Sequence, residues 1–447
     1  MKQSDLPDLP DLATSASSTG LVRGIRRWDL VAVAINGIIG AGIFGLPSKV
    51  FSLIGPYSLI AFVVCALVVL LIVLCFAEVS SRFSETGGPY LYARAAFGSA
   101  VGFEVGWLMW LARLTALSAN CNLLVEYSSY FWPGMNTGLA RVATIILIVI
   151  ALTSINVAGV RNAALFSDVS SIAKLIPIAL FIGVGLFFLN PQSFVPAEHP
   201  SLGNFSQSVL LLVYAFTGFE MAIIPAGEVR DPKRNVPFAI LAALAVVAIT
   251  YILIQVVCIG TLPGLATSTR PLADAGTHFL GVIGGSAITA GAIISILGNL
   301  TVLILAASRL PFAMASHNEL PQIFASTHSR FRTPHIALYV TAATMLALTL
   351  SGTFIYAVTI STIARLLAYM TTCAGLIILR RQEAEPPQFK APLGVAVAVL
   401  AIALMIWLLA HSTSREARDA AIAAAAGLVI YAAYKFKRQS LTIEEET

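Results

Sequence analysis

The chain has 447 residues and a formal net charge of +5; 58% of its residues are hydrophobic and only 11% charged. Soluble domains carry about 25% charged residues, so composition argues against an ordinary cytosolic enzyme and against a nucleic-acid binder. Mean hydropathy is +0.86. A membrane span needs about 20 apolar residues, and twelve spans with short loops use nearly the whole chain.

Residues 1–28 read as a polar cytoplasmic tail, rich in Ser, Asp and Pro and lacking the apolar core of a signal peptide. Apolar runs bounded by charge, Gly or Pro then predict spans at 29–54, 57–82, 98–128, 139–158, 165–189, 205–228, 237–262, 282–312, 335–353, 355–379, 392–411 and 416–435. Residues 87–98 predict an interfacial helix, 263–279 the longest external loop, and 436–447 a second cytoplasmic tail. All five Cys fall inside apolar runs without a C-x-x-C, as packing residues do. The six His show no ligand spacing, so no metal site is expected.

Orientation follows from the bias of Lys and Arg toward the cytoplasm. With the N-terminus inside, nineteen cations are cytoplasmic and only Arg141, Arg270, Arg415 and Arg418 are external. Both termini are therefore expected inside. The remaining four, Lys49, Arg113, Lys174 and Arg365, fall within spans. The small positive net charge is a record of orientation and does not point to acidic partners.

Span 1 reads NGIIGAGIFGLP over 36–47, with Gly40, Gly42, Gly45 and Pro47 at mid-membrane. Tight helix packing is one reading. The other is a helix broken near the midplane, allowed only where the backbone is buried or lines a cavity. The N–H groups starting a half-helix favour an anion such as a carboxylate; free carbonyls favour an ammonium. GAGIFG also fits the dinucleotide G-x-G-x-x-G pattern, but no strand precedes it and no ribose-binding acid follows. There is no G-K-[S/T], so ATP is not expected to drive the protein and no cofactor is expected.

Span 6 carries a second interruption, with Gly218, Glu220, Pro225 and Gly227. Two broken spans five apart are the sequence pointer to inverted repeats around a midplane site. Tyr214, Phe216 and Phe219 flank this break, as core packing or as an occluding gate. Lys174 lies about half a span deep in span 5. It either snorkels or is buried, where desolvation disfavours a lysine's charged form and makes proton exchange accessible. Arg113 and Arg365 lie deep in spans 3 and 10. Arginine does not deprotonate in proteins, so each needs an anionic or carbonyl partner: Glu104, Glu126, Glu220 or the substrate. Lys49 and Glu78 read as interfacial. A membrane-embedded enzyme would need a convergent acid/base or nucleophile set, and none is visible.

These stretches resemble the amino acid–polyamine–organocation (APC) superfamily, and within it the bacterial amino acid permeases. The resemblance rests on GIIGAGIFGLP, SETGGPYLYARAAFG (84–98), AFTGFEMAIIPAGEVRDPKRNVP in span 6, and SRLPFAMASHNELP (308–321) followed by TP at 333–334. It implies an all-α integral membrane protein with the leucine-transporter fold: inverted five-helix repeats over 29–189 and 205–379, helices 1 and 6 broken, and two accessory helices over 392–435. It further implies that the amides of Gly40, Ala41 and Gly42 bind a substrate carboxylate and that the carbonyls of Ile38, Tyr214 and Thr217 bind its ammonium. By the same resemblance Tyr214 is an aromatic gate, with Phe216 beside it in the substrate set. Lys174 takes the place of a sodium ion, and Glu220 is an acidic position found in several members, grouped here with Arg365 as a coupling or gating residue. Arg113 stands at a pocket-lining position that familiar members fill with a small or neutral residue. The expected partners are an amino acid, protons and membrane lipid, in the cell membrane, with no nucleic acid.

Overall fold

The computed structural model describes residues 24–85, 87–157, 174–196, 198–329, 331, 333–382 and 386–446, with side chains up to 435. The predicted tail over 1–23, the first part of predicted span 5 (165–173) and the cytoplasmic cations Arg161, Arg330 and Arg332 lie outside them. Among the described residues the chain is all-helical, with one isolated β-bridge between Ile25 and Val229. Eight helical stretches are long and apolar enough to cross a membrane by length and composition; Lys174–Phe188, His335–Ser351 and Gly394–Ala410 are shorter apolar helices. Large apolar side chains such as Leu147, Ile150, Ile249 and Val429 point outward along these helices. So much outward apolar surface fits lipid and not water. The protein is a multi-pass membrane protein.

The first predicted span is two helices, α1 (Arg27–Ile38) and α2 (Gly42–Ile54). They are followed by α3 (Ser58–Ser80), a short α4 (Pro89–Phe97) where the interfacial helix was predicted, α5 (Ser99–Ser128) and α6 (Gly138–Val157). Proline opens α4 at a position whose N–H needs no partner, and Gly98, at φ +89°, separates α4 from α5. Next come α7 (Lys174–Phe188) and α8 (Leu202–Phe216). α8 ends in mid-protein and passes into a short 3₁₀ turn, Phe219–Ala222. The chain continues through α9 (Pro232–Thr261), α10 (Pro271–Ser316), α11 (His335–Ser351), α12 (Phe354–Arg381), α13 (Gly394–Ala410) and α14 (Ser414–Glu446).

One expectation is corrected and one gains a structural setting. The long external loop predicted over 263–279 is helical from Pro271, because α10 begins there and bends at Gly281 (φ +70°) before its long inner portion. Glu78, read as interfacial from its place near the span end, has its carboxylate fully buried inside the protein. It accepts hydrogen bonds from Arg380 at 2.6 and 2.5 Å and from the Ala391 N–H at 2.8 Å, and pairs with Arg82 at 3.4 Å. A buried carboxylate persists only when its oxygens are satisfied this way, so Glu78 ties α3 to α12 and to the segment before α13.

The packing places α5 centrally, against α4, α10, α11, α12 and α14. α1 lies on α9 and the 3₁₀ turn, α2 on α8, and α3 on α8 and α9. The two interruptions, at 39–41 and 217–218, are thereby held side by side.

Candidate functional site

The site is built where two backbones touch. An ideal Cβ on Gly218 would lie 2.2 Å from the Gly37 carbonyl oxygen, and one on Gly37 would lie 2.6 Å from the Gly218 oxygen. Gly218 also has φ +109°, a conformation L side chains rarely adopt. Glycine is thus required at the crossing by both space and dihedral. At Gly42, an added Cβ would sit 2.8 Å from the Ala215 Cα.

At the first break the Gly40 N–H turns back to the Ile38 carbonyl at 2.8 Å. α2 then starts, with Phe44 and Gly45 donating to Ala41. Among the described residues, the amides of Ala41, Gly42 and Ile43 donate to no backbone carbonyl. The open amides are therefore these three, and not Gly40, Ala41 and Gly42 as expected, because the tight turn consumes the Gly40 N–H. Such an unpartnered half-helix start suits a carboxylate.

The carbonyls also differ from expectation. Ile38 accepts from Gly40 and from the Tyr251 hydroxyl at 3.0 Å. Tyr214 accepts from the Thr217 N–H and, at 2.7 Å, from the Thr217 hydroxyl. A carbonyl has two lone pairs, so both are occupied in this conformation. The Thr217 carbonyl accepts no hydrogen bond among the described residues and is the member of the expected set left open. Phe216 is fully buried, packs edge-on against Tyr251 at 5.2 Å between centroids and does not line the cavity. Phe219 packs against Phe76 and Tyr369.

A cavity of about 260 Å³ lies at this crossing. Ile38, Gly40, Ala41, Gly42, Arg113, Tyr214, Thr217, Glu220 and Arg365 all line it. Three asparagines not singled out from sequence join them: Asn36, Asn120 and Asn299. The Tyr214 hydroxyl donates to Asn120 Oδ1 at 2.9 Å, and Asn120 Nδ2 donates to Asn299 Oδ1 at 2.6 Å, a polar chain from α8 through α5 to α10. Amides inside apolar spans are costly unless paired, and that cost was the available sequence signal.

Lys174 is buried behind the break and not in the cavity lining. Its ammonium donates to the Asn36 carbonyl at 3.0 Å, to the Ile39 carbonyl at 2.7 Å and to Asn36 Oδ1. Snorkelling is thereby replaced by a brace from α7 to the open end of α1. Glu220 pairs with Arg365 at 3.4 Å and accepts hydrogen bonds from Tyr369 and the Gly218 N–H, both at 2.9 Å. Arg365 in turn donates to Ser361 at 2.7 Å. This pair fastens the second break to α12. Arg113 has none of its expected carboxylate partners within 4.0 Å among the described residues; it donates to the Ala306 carbonyl at 3.1 Å. Both Glu104 oxygens are buried with no hydrogen-bond partner among the described residues, and Glu126 takes a hydrogen bond from Asn136.

Two broken helices crossing backbone to backbone over a polar cavity agree with a sequence match over residues 25–432 to a family described as amino acid permease. The chain belongs to the amino acid permease family, within the APC superfamily. It is 28% identical to the methylthioribose transporter of Bacillus subtilis (strain 168), over 97% of this chain and 98% of that one. It is 26% identical to the branched-chain amino acid permease BcaP of the same organism, over 96% and 97%. Identity to its serine/threonine exchanger SteT is 29%, over 94% and 99%. Family and relatives are transporters, not enzymes.

In this permease a second cavity, about 510 Å³, shares Arg113, Met221, Val302 and Leu305 with the first. It extends to Tyr90, Glu228, Arg309 and His317. Tyr90 donates to Glu319 at 2.9 Å and accepts from Arg94 at 3.1 Å, joining α4 to the end of α10. Burial and the adjacent Glu319 push the Tyr90 phenol up to about 12, so it stays a neutral donor. Burial likewise raises the Glu319 carboxyl, against the lowering pull of Tyr90 and Arg94.

Tyr251 is the other residue that sequence reasoning missed. Its hydroxyl reaches the carbonyls of Ile38 and Ala215, at 3.0 and 3.1 Å, and so links both breaks. Tyr251→Phe removes the one O–H that these two buried carbonyls share, at a cost of about 1–3 kcal/mol. The expected result is a lowered melting temperature and weaker substrate binding, read by thermal shift with and without substrate. An unchanged melting temperature and affinity would remove Tyr251 from the site's framework.

Proposed function

We propose that this permease moves an amino acid across the cell membrane by alternating access, coupled to protons. The observation that carries the reading is the crossing of the two broken helices: open amides of Ala41, Gly42 and Ile43 on one side, the open Thr217 carbonyl on the other, and one cavity between them. The amides take the substrate carboxylate and the Thr217 carbonyl its ammonium. The carbonyls of Ile38 and Tyr214 become available when the Tyr251 and Thr217 contacts open.

The reading includes twelve spans arranged as two inverted repeats, 29–189 and 205–379, with accessory helices over 392–435 and both termini cytoplasmic. Two breaks five spans apart and the distribution of Lys and Arg support it. In that orientation the second cavity is a cytoplasmic vestibule, and the conformation is inward-facing. Lys174 serves as the coupling group. Its ammonium has three N–H donors for three acceptors on α1, whereas a neutral amine has two N–H groups and would turn a lone pair on the third. Protonation therefore favours the braced form and deprotonation loosens it. A positive charge at that place, present whenever Lys174 is protonated, also argues against sodium coupling.

Exchange is the second reading, favoured by the relative named a serine/threonine exchanger. Counterflow in proteoliposomes tests transport, and a pH gradient separates the two readings. Accelerated uptake into preloaded vesicles is expected, together with net accumulation driven by an inward proton gradient. Counterflow without any gradient-driven accumulation would establish obligatory exchange, and a single-channel conductance without counterflow would exclude alternating access.

A further inference from the structure

The charges lining the two connected cavities do not cancel. Arg113, Arg309 and Arg365 stand against Glu220 and Glu228, three cations to two anions. Glu220 is already committed to Arg365, Tyr369 and the Gly218 N–H. Arg113 is buried, 3% exposed, and among the described residues its guanidinium has one hydrogen bond, to the Ala306 carbonyl, and no carboxylate within 4.0 Å. It cannot shed its charge, and it carries five N–H donors in a fork shaped for a carboxylate. An unpaired buried charge is costly, and a zwitterionic substrate does not relieve it, because that substrate's two charges are met by the ends of the broken helices.

The geometry points to a substrate with a second anionic group: Arg113 is the specificity residue that receives the side-chain carboxylate of an acidic amino acid. This rests on the transport reading above. The α-carboxylate meets the open amides of Ala41 and Gly42. The side chain extends through the same cavity to Arg113, which lines both this cavity and the one below it. A bidentate guanidinium–carboxylate contact supplies the missing anion. A site built around such a charge rejects the isosteric amide, because glutamine leaves Arg113 unpaired.

The test is competition of labelled uptake by wild-type protein in chloride-free proteoliposomes, using L-glutamate, L-aspartate, L-glutamine, L-leucine and L-serine. The acids are expected to compete at concentrations roughly 100-fold below their uncharged counterparts. Arg113→Gln is expected to lower kcat/KM for glutamate roughly 100-fold, and to shift preference toward glutamine. Arg113→Lys, which keeps the charge but loses the fork, falls between. If neutral amino acids move and the acids neither move nor compete, the role of Arg113 is overturned and the transport reading stands. If no amino acid moves or competes, both fall. Because competition on the wild type decides the matter, the outcome does not depend on the variants folding.

Discussion

Replacing Gly218 with alanine is expected to destabilise the protein by roughly 3–5 kcal/mol and to abolish transport. The new Cβ lies 2.2 Å from the Gly37 oxygen and 2.7 Å from the Gly37 carbon. Both are backbone atoms of α1, so no side-chain rotation relieves the contact. Overpacking costs about 1–3 kcal/mol and an unfavourable φ a similar amount. Relief requires α1 and the second break to separate, which disassembles the pair that forms the cavity. Gly55→Ala is the control: φ there is +57°, with nothing within 4 Å of the added Cβ. It bears the dihedral cost alone, about 1–3 kcal/mol, and should keep transport. Melting temperature and uptake of the two variants, measured together, check the claim. Equal behaviour of the two would show that the crossing is not tight in the membrane.

Lys174→Ala is expected to lower uptake about 10- to 100-fold and to make what remains insensitive to a pH gradient. The deletion leaves the Asn36 and Ile39 carbonyls and the Asn36 side chain without their donor. Charge-assisted hydrogen bonds contribute about 1.5–3 kcal/mol each, so the energetic gap between braced and unbraced forms should largely vanish. Substrate binding should survive in part, since Lys174 is not in the cavity lining. Uptake against pH, with binding measured separately by thermal shift, distinguishes coupling from damage to the site. Proton-driven accumulation at the wild-type ratio would sink the coupling role. Lowering of binding and uptake by the same factor, with the pH response intact, would make Lys174 a structural brace alone.

The brace and the Glu220–Arg365 pair act on different partners. Lys174 holds the end of α1 from α7, while Arg365 holds the second break from α12. A change in one therefore need not release the other. Removal of one member of a buried pair leaves an uncompensated charge, so Arg365→Ala is expected to be as damaging as any substitution in the lining.

What sequence alone determined follows from one-dimensional physics. Apolar run length fixes where helices can cross a membrane, the Lys/Arg distribution gives the expected orientation, and glycine-rich interruptions mark where a helix cannot continue. Those rules located both breaks, and they marked Arg113, Lys174 and Arg365 as charges too deep to be incidental. They could not say which polar atoms at the breaks remain free. That depends on short turns and on residues distant in the chain. The Gly40 amide is taken by Ile38 two residues back, and the Ile38 carbonyl by Tyr251, 213 positions away. Glu78 looked interfacial because it ends its span, yet Arg380 and Ala391 bury it. Asn120 and Asn299 lie 179 positions apart and became a pair only where α5 and α10 bring them to 2.6 Å. Charge pairing is equally non-local. Three deep cations were legible in the sequence, but only the tertiary structure gave Glu220 to Arg365, three carbonyl and amide oxygens to Lys174, and left Arg113 facing the cavity with no carboxylate within 4.0 Å among the described residues.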